Sequence, residues 1–492
     1  MKILPLLISV FLLAGLNSSA QENVNKLSLE DVIYVAKQQS PEALIAKHRF
    51  RSSYWNFRRY KADYLPSLLL SGTPKFENKI RKTSNATGDS YDEYRSSDVD
   101  LDLSVRQNII GTGGTFSLNS GLNRNDNLLN NKVQYTSNII YLNYTQPIFQ
   151  HNSFKWEKRI EPVKYNKAKR KYLEDMENVS ITAVNYFFNL LLTQLDREIA
   201  FKNLHNYDTL YKIAIGRYNL GKIAESELLQ LELNYLKAQA AVENTELDLE
   251  NNLFKLKSFL RIQNNEKIDL IPPKETYHFA VDASKAIDEA KSNTSTALDF
   301  EKRKLEAESS LNEAIATNRF DADLTASFGL NQNGSTLPSA YTNPQNSQIV
   351  GLSFVIPILD WGVGKSGVKM AESNMELVMT SIEQERIDFE QNIFLTVMQF
   401  NMQKNKLYIA AKSDTVAQKR YDITQKRYLI GKVNDILDLN NAQIDNDNSK
   451  KDYYRSLRNY WQNYYELRKL TLYNFQDDMN IGFNIEQIGY ID

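Results

Sequence analysis

Hydrophobic and polar residues alternate strictly in several short stretches of the chain. The segment 98–106 reads DVDLDLSVR, and 115–123, 324–330 and 350–356 show the same period of two. Successive side chains of a strand point to opposite faces, so this period predicts strands with one apolar and one polar face. Each predicted strand has about ten residues, enough to cross a bilayer when tilted. A soluble β-sandwich gives the same alternation, and on this pattern alone it is the more frequent architecture.

Other stretches have the apolar spacing of long helices. A helix from about Lys155 to Gly221 and another from about Lys365 to Gly431 are predicted, each with about 60 residues and a length of roughly 90 Å. The second contains a heptad-like seam, as in a coiled coil. Ordinary helix packing explains the seam but not the length. The seam residues are Met379, Ile382, Phe389, Ile393, Val397, Phe400 and Leu407.

The second half of the chain repeats the layout of the first at an offset of 210 residues. RYLIGK at 427–432 falls on RYNLGK at 217–222, and the register holds without a gap from 351 to 432. This favours two diverged copies of one unit over two unrelated helices of similar composition. We therefore predict a first repeat over 21–273 and a second over 274–492, with Pro272-Pro273 as the linker.

Each repeat has the same internal order of short helices, strands and a long helical hairpin. Ser28 and Asp31 form a capping-box pattern before the first short helix, and Pro41 precedes a second that runs to about Asp63. The counterparts in the second repeat are expected between about 283 and 318. Glycine readily adopts the left-handed conformation that ends helices, so each RYxxGK phrase is expected to mark a hairpin tip.

The strand region of the first repeat is about 45 residues longer than that of the second. It contains an additional alternating pair, roughly 98–107 and 115–123, joined by the tight turn GTGG. The pair either adds two strands to the sheet or forms a hairpin beyond it, and the sequence leaves both open. The polar tracts at 82–98 and 331–347 are expected to be exposed loops.

The N-terminus and the composition point to an envelope protein. Residues 1–20 have the charge, apolar run and small-residue end of a secretory signal peptide, with a short membrane anchor as the alternative. After residue 20 no run of 18 apolar residues occurs, so no spanning helix is predicted. The 28 tyrosines suit membrane-interface girdles. Together with the long helices, these features favour an outer-membrane β-barrel over a sandwich.

Charge and residue usage exclude several classes of function. With 59 basic and 60 acidic residues, the chain lacks the basic excess of a nucleic-acid binder. It has no cysteine, and its four histidines show no metal-binding spacing. GTGG joins two predicted strands and does not open a helix, so it is no phosphate loop. We expect no catalytic residue, no metal site and no cofactor, and hence no enzyme.

The order of these segments resembles the TolC family of outer-membrane efflux channels. The matching segments are LSLEDVIYVAKQQSPEALIAK, YLPSLLLSG, QPIF, IPILDWG, RYNLGK and RYLIGKVNDILDLNNAQ. None of these segments is specific for the family by itself, but their order, repeated twice over the mature chain, is highly specific. The resemblance implies a mixed α/β membrane protein that assembles as a homotrimer. Its strands would close one outer-membrane β-barrel, which continues into a long periplasmic α-helical barrel of coiled-coil hairpins.

The resemblance also implies roles for residues at the hairpin tips. Asp435 and Asp438 match the carboxylates that line the pore constriction, although acids in a first helical turn also stabilise the helix dipole. Tyr428 and Glu227 match an inter-hairpin latch. Lys432 stands in for the basic latch residue, but the turn here is two residues shorter, which leaves its role open. The tip residues expected to contact an adaptor are Arg217, Tyr218, Gly221, Lys222, Arg427 and Gly431.

The function implied is that of an exit duct in the outer membrane of a Gram-negative bacterium. It would passively conduct substrate of a tripartite efflux or secretion system. The expected partners are an inner-membrane pump, a periplasmic adaptor (membrane fusion) protein, outer-membrane lipid and two further copies of the chain. The alternative is a periplasmic or secreted coiled-coil scaffold, which leaves the amphipathic strands unexplained.

Overall fold

A computed structural model describes residues 24–85, 88–263, 267–273, 279–430 and 436–484. The predicted signal peptide and three of the predicted tip residues, Gly431, Lys432 and Asp435, lie outside these ranges. The chain forms two compact units. The sheet unit consists of 44–178, 279–402 and 463–492, and the hairpin unit consists of 1–43, 179–278 and 403–462.

The sheet unit contains six long strands and three short helices. Its strands are β2 (Ser67–Asn85), β3 (Gly88–Ile109), β4 (Gly114–Asn127), β5 (Lys132–Ile148), β7 (Asp321–Gly334) and β8 (Gln345–Val355). Its helices are α2 (Pro41–Ala62), α5 (Ala283–Asn293) and α6 (Ser295–Thr317), and a two-stranded hairpin of β9 (Tyr473–Asn474) and β10 (Met479–Asn480) follows. These short helices agree with those predicted up to about Asp63 and between about 283 and 318.

All six long strands belong to one antiparallel sheet in the order β2-β3-β4-β5-β7-β8. The additional pair of the first repeat, β3 and β4, therefore lies inside this sheet. Gly113 of the connecting turn has φ +78°, a left-handed conformation that glycine adopts without strain. Bulges interrupt the ladder once between β4 and β5 and once between β5 and β7.

The predicted strand length of about ten residues is wrong. The six strands have between 11 and 22 residues. Most of the polar tract 82–98, expected to be a loop, pairs within the β2–β3 hairpin up to Asn85 and Gly88. Backbone pairing does not require apolar side chains, so hydrogen bonding continues where the apolar alternation has ended. The alternation of apolar and polar residues in the sequence therefore identifies only the part of each strand that carries apolar side chains on one face.

One face of the sheet is apolar across its whole width. Cross-strand partners share a face, and Leu103 lies opposite Leu70, as Leu142 lies opposite Phe328. Except for Ala322, the apolar residues on this face are not buried. They are Leu68, Leu70 and Phe76 on β2; Val99, Leu101, Leu103 and Val105 on β3; Phe116, Leu118 and Leu122 on β4; Ile140, Leu142 and Tyr144 on β5; Leu324, Ala326, Phe328 and Leu330 on β7; and Val350, Leu352 and Phe354 on β8.

The hairpin unit is built around the helical hairpins. Two long helices, α3 (Ser153–Asn219) and α7 (Val363–Leu429), extend into it, and each is followed by a shorter helix, α4 (Glu225–Leu260) or α8 (Ile436–Thr471). The paired helices have equal lengths, 67 residues for α3 and α7 and 36 for α4 and α8. No helix among the described residues is both long and apolar enough for a membrane span.

A short parallel strand pair and a capped helix complete the hairpin unit. Strand β1 (Val24–Leu27) pairs with β6 (Lys267–Leu270). Helix α1 (Leu29–Gln39) begins with the predicted capping box, in which Ser28 and Asp31 each accept a backbone hydrogen bond from the other. The Gln39 side chain donates to the Leu260 carbonyl, 2.6 Å away, and so satisfies a carbonyl that the end of α4 leaves open.

A buried ion pair holds the last turn of α8 in the sheet unit. The Arg468 guanidinium donates to both carboxylate oxygens of Glu177 on α3, at 2.9 and 3.4 Å. The Glu177 side chain is only 2% exposed. Burial alone would lower the pKa of Arg468, but the adjacent carboxylate outweighs it and holds the pKa above its ordinary value. Arg468 therefore stays charged beside the Glu177 carboxylate in a desolvated site.

We predict that Glu177→Ala lowers the stability of the protein by about 3–5 kcal/mol, because it leaves a buried guanidinium unpaired. The control is Asp452→Ala, which removes an exposed pair with Arg455 and should cost about 1 kcal/mol or less. Thermal unfolding in detergent, followed by circular dichroism, measures both. Equal shifts in the two variants would contradict the prediction.

Candidate functional site

The phrase RYNLGK forms the end of helix α3 and the first hairpin tip. Gly221 has φ +63°, its N–H donates to the Tyr218 carbonyl, and the Lys222 N–H donates to the Arg217 carbonyl. This is the Schellman arrangement that ends a helix at a left-handed residue. Gly221 thus occupies the position that requires glycine, and Arg217 and Tyr218 lie in the last helical turn. The corresponding turn after α7 is outside the described residues.

The two hairpins are joined at their tips by a hydrogen bond between Tyr428 and Glu227. The Tyr428 hydroxyl, at the end of α7, donates to Glu227 Oε1 in the first turn of α4 at 3.1 Å. Tyr428 is only 2% exposed. Burial, and then the neighbouring Glu227 carboxylate, raise the pKa of Tyr428 to about 12. The hydroxyl therefore keeps its proton at neutral pH and remains a donor to the carboxylate.

Arg217 adds a second connection between the hairpins at the same place. Its guanidinium donates to the backbone carbonyls of Tyr428 and Leu429, at 3.3 and 3.1 Å, and lies 5.3 Å from the centre of the Tyr428 ring. These carbonyls end helix α7 and carry the negative end of its dipole, so a cation there is stabilising. Arg427, at the equivalent position of the second repeat, is exposed.

An apolar cluster packs beneath this polar contact. It brings residues of all four hairpin helices together and buries the aromatic ring of Tyr428. The buried members are Leu210, Ala214, Leu231, Tyr421, Tyr428, Ile436, Leu439 and Ala442. The contact between the hairpin ends therefore depends on burial of apolar surface as well as on the Tyr428–Glu227 bond.

A polar network links the hairpins further from the tips. The Asn203 side-chain amide donates to Asp447 at 2.7 Å, and Gln443 donates to Asp447 at 3.1 Å and to Asn203 at 2.8 Å. Burial raises the pKa of Asp447, although these two donors partly offset the effect. A half-buried carboxylate with two amide donors fixes the relative register of α3 and α8 at this level.

The predicted constriction residue Asp438 is paired with a cation within the chain. Its carboxylate accepts a hydrogen bond from Arg420 at 3.0 Å, and the same guanidinium also reaches Asp445. The Asp438 side chain is partly exposed, and it lies in the first turn of α8. Arg420 thus offsets some of the negative charge that the sequence assigns to this site.

The structure brings some of the predicted tip residues together and separates others. Tyr428, Glu227 and Arg217 are in contact, whereas Tyr218, Lys222 and Arg427 are exposed. Arg420 and Asp447 were missed by sequence reasoning. Arg420 is 18 residues from Asp438 and on another helix, so no local spacing signals their pairing. The described residues contain no group of three or more acidic or histidine side chains able to hold a metal ion.

These groups can form a reversible clasp but offer no arrangement for covalent chemistry. A hydroxyl–carboxylate hydrogen bond contributes about 1.5–3 kcal/mol. That is enough to favour this contact between the hairpin ends, and competing interactions of greater energy can break it.

Comparison with known proteins agrees with the sequence resemblance. Residues 288–471 match the family model described as outer membrane efflux protein. A search of curated proteins finds no significant sequence match.

Solved outer-membrane channels have a similar fold. The Campylobacter jejuni channel CmeC matches with a TM-score of 0.67 at 15% identity, over 94% of this chain and 89% of its own. The Vibrio cholerae protein VceC matches with a TM-score of 0.62 at 13% identity, over 90% and 95%. The Neisseria gonorrhoeae channel MtrE in its open state matches with a TM-score of 0.51 at 13% identity, over 92% and 90%.

The expected resemblance to the TolC family of outer-membrane efflux channels is thereby confirmed. The family match runs from within α5 to the end of α8, and the fold likeness covers most of the chain. The mixed α/β character of the fold is confirmed with it.

We predict that Tyr428→Phe combined with Glu227→Ala opens the tip. Loss of a bond worth about 1.5–3 kcal/mol should shift the closed-to-open ratio about ten- to hundredfold. Single-channel conductance in planar bilayers should rise accordingly from its resting level.

The matched control is Tyr218→Phe, which makes the same chemical change at the equivalent position of the other hairpin. Tyr218 is 40% exposed, so its substitution should leave the resting conductance as in the wild type. A double variant as closed as the wild type, or a control that opens equally, would show that this hydrogen bond does not hold the tip.

Proposed function

We propose that the chain is the outer-membrane exit duct of a tripartite efflux or secretion system in a Gram-negative bacterium. It conducts substrate passively and catalyses no reaction. The single observation that carries the proposal is the uncovered apolar face of the six-stranded sheet, which extends over all six strands. Such a face is stable against lipid and costly in water. The family match points to the same class of protein.

The alternative, a soluble coiled-coil scaffold, does not account for this face. Val350 is 78% exposed and Leu70 is 75% exposed, and their neighbours on adjacent strands are also uncovered. A secreted scaffold would place this surface in water and would tend to aggregate. An outer membrane covers it with hydrocarbon, while the polar face of the same strands lines water.

Exposed apolar stripes on the helices support self-association as a homotrimer. Ile409, Val416 and Ile423 on α7, and Ile430 directly after it, recur every seven residues, and each is more than half exposed. On α4, Leu229, Leu236, Leu247 and Phe254 are also more than half exposed. A heptad stripe of this kind is the seam of a coiled coil, and one chain leaves it without a partner helix. Neighbouring copies would cover it and so form the α-helical barrel.

The duplicated organisation is part of the proposal. The equal lengths of α3 and α7, and of α4 and α8, support two repeats, 21–273 and 274–492, with the tips at 217–227 and 427–438. A periplasmic adaptor would engage the exposed tip residues Tyr218, Lys222 and Arg427, and an inner-membrane pump would deliver substrate through it. For Gly431 and Lys432 the roles remain those that the family resemblance implies.

Asp438, together with Asp435, is proposed to line the constriction at the tips. Three copies would bring six carboxylates around one axis, and these would retain cations and repel anions. Because Asp438 is paired with Arg420, substitution of either residue tests this role: one should lower the preference for cations and the other should raise it. Asp438 in its helical turn also interacts favourably with the helix dipole, a role that does not affect selectivity.

We predict opposite changes in ion selectivity for the two partners of this pair. Asp438→Asn combined with Asp435→Asn should lower the preference for cations. Arg420→Gln should raise it, because it removes the positive charge of Arg420 from beside the carboxylate of Asp438. Reversal potentials in planar bilayers under a salt gradient measure both. If all variants keep the wild-type reversal potential, the two acids serve only the helix dipole.

We also predict that the mature protein is recovered from outer-membrane fractions and behaves as a trimer in mild detergent. Sucrose-gradient fractionation and light scattering of the detergent complex are the measurements. A periplasmic soluble protein prepared from the same cells serves as the fractionation control. Recovery of the chain as a soluble monomer would exclude the duct and favour the scaffold.

A further inference from the structure

The six-stranded sheet has two edges, and each ends in a strand with neighbours on one side only. Strand β2 pairs with β3 alone and β8 with β7 alone among the described strands. All neighbours are antiparallel, so β2, β4 and β7 run in one direction and β3, β5 and β8 in the other. The β8 edge of one copy is therefore antiparallel to the β2 edge of another.

The two edges also match in their apolar faces. Leu68 and Leu70 on β2 belong to the same face of the sheet as Leu352 and Phe354 on β8. Edge strands with apolar side chains and open backbone groups require a partner, and in hydrocarbon an unpaired backbone group costs several kcal/mol. A second copy of this chain provides a partner whose apolar band continues the first.

We propose that β2 of one copy pairs with β8 of the next, and that three copies close an 18-stranded barrel in which β3 and β4 are part of the wall. The proposal rests on the trimeric duct proposed above, and it fixes the width and strand number of the part in the membrane. Head-to-tail contacts of this kind form a ring when the rotation closes. With six strands from each chain, the strand number is even and every neighbour is antiparallel.

The backbone pairing of β3 with β2 and of β4 with β5 indicates that these two strands belong to the wall of the barrel. β3 is paired with β2 along the whole of β2, and β4 is paired with β5 along most of its length. The apolar band runs without a break from Leu70 to Leu103 on one side of the pair and from Leu118 to Leu142 on the other. Outside the bilayer, Leu101 and Leu103 would face water.

The added pair changes the size of the opening. With strands about 4.8 Å apart and tilted by about 40°, 18 strands give a backbone diameter of about 36 Å, whereas 12 strands would give about 24 Å. Barrels of 16–18 strands enclose an aqueous channel. The exit of this duct is therefore wide enough for bulky, hydrated solutes, and size selection belongs to the tips.

Strands β3 and β4 also change the side chains that line the interior of the proposed barrel. On its polar face, Asp98, Asp100 and Asp102 alternate along β3, and the side-chain amides of Asn123 and Asn125 on β4 donate to two of these carboxylates. In the proposed barrel this face surrounds the water-filled exit. The wider opening would thus be polar and acidic where the additional strands contribute.

Electron cryo-microscopy of the detergent-solubilised full-length protein tests the proposal by counting strands. We expect 18 strands in the wild type. A variant lacking 86–131 loses β3 and β4 and joins the end of β2 to the start of β5, which lie at the same end of the strands. The directions of β2 and β5 are kept, so three copies should give a barrel of 12 strands with a narrower opening. A wild-type barrel of 12 strands, with β3 and β4 outside it, would overturn the inference but leave the duct intact. Absence of any closed barrel would overturn both.

Cross-linking tests the edge pairing independently of the deletion variant. The chain has no cysteine, so introduced pairs report without background. Leu68→Cys combined in turn with Val350→Cys, Leu352→Cys or Phe354→Cys should give dimers and trimers on a denaturing gel in at least one combination. Leu101→Cys lies on β3, so β2 separates it from the edge of the sheet. It serves as the control in the same three combinations and should give none. Cross-links only in the control set, or in neither set, would exclude β2–β8 pairing.

Discussion

The fold depends on one constraint, which is that a single chain leaves much apolar surface uncovered. The sheet presents its apolar face outward on all six strands, and α7 and α4 carry apolar stripes without a partner helix. In water each such surface costs free energy in proportion to its area. Lipid can cover the sheet face, and further copies of the chain can cover the stripes. The apparent incompleteness of the single chain is therefore consistent with a membrane-embedded assembly.

The tips differ from the sheet face and the helix stripes, because the polar contacts that join the hairpins there are few. Tyr428 and Arg217 connect the hairpins through one hydroxyl–carboxylate bond and two bonds to helix-ending carbonyls, above a small apolar cluster. Each such bond contributes only a few kcal/mol at most. A long coiled-coil seam could not separate at so small a cost. In the proposed duct, weak contacts at the end of each hairpin would permit opening there while the rest of the helix packing stays intact.

The sequence predicted the elements of this protein better than their extent. Ser28 and Asp31 cap α1 as predicted, because a cap depends on residues only three positions apart. The strands are longer than predicted, since the pairing of β2 with β3 continues through polar residues that give no alternating signal. Tyr428 and Glu227 were identified together only through the family resemblance. The pairing of Arg420 with Asp438 was not identified at all, because it joins distant positions on two helices.

By itself, the sequence determined the local and periodic features: the amphipathic strands, the length of the helices, the glycine-ended tip and the doubled order of segments. These follow from side-chain spacing and backbone preference, which act between near neighbours. Only the tertiary structure decided that the additional strand pair lies inside the sheet and that Arg217 joins the hairpins. Both depend on which distant segments pair, and spacing along the chain does not encode that choice.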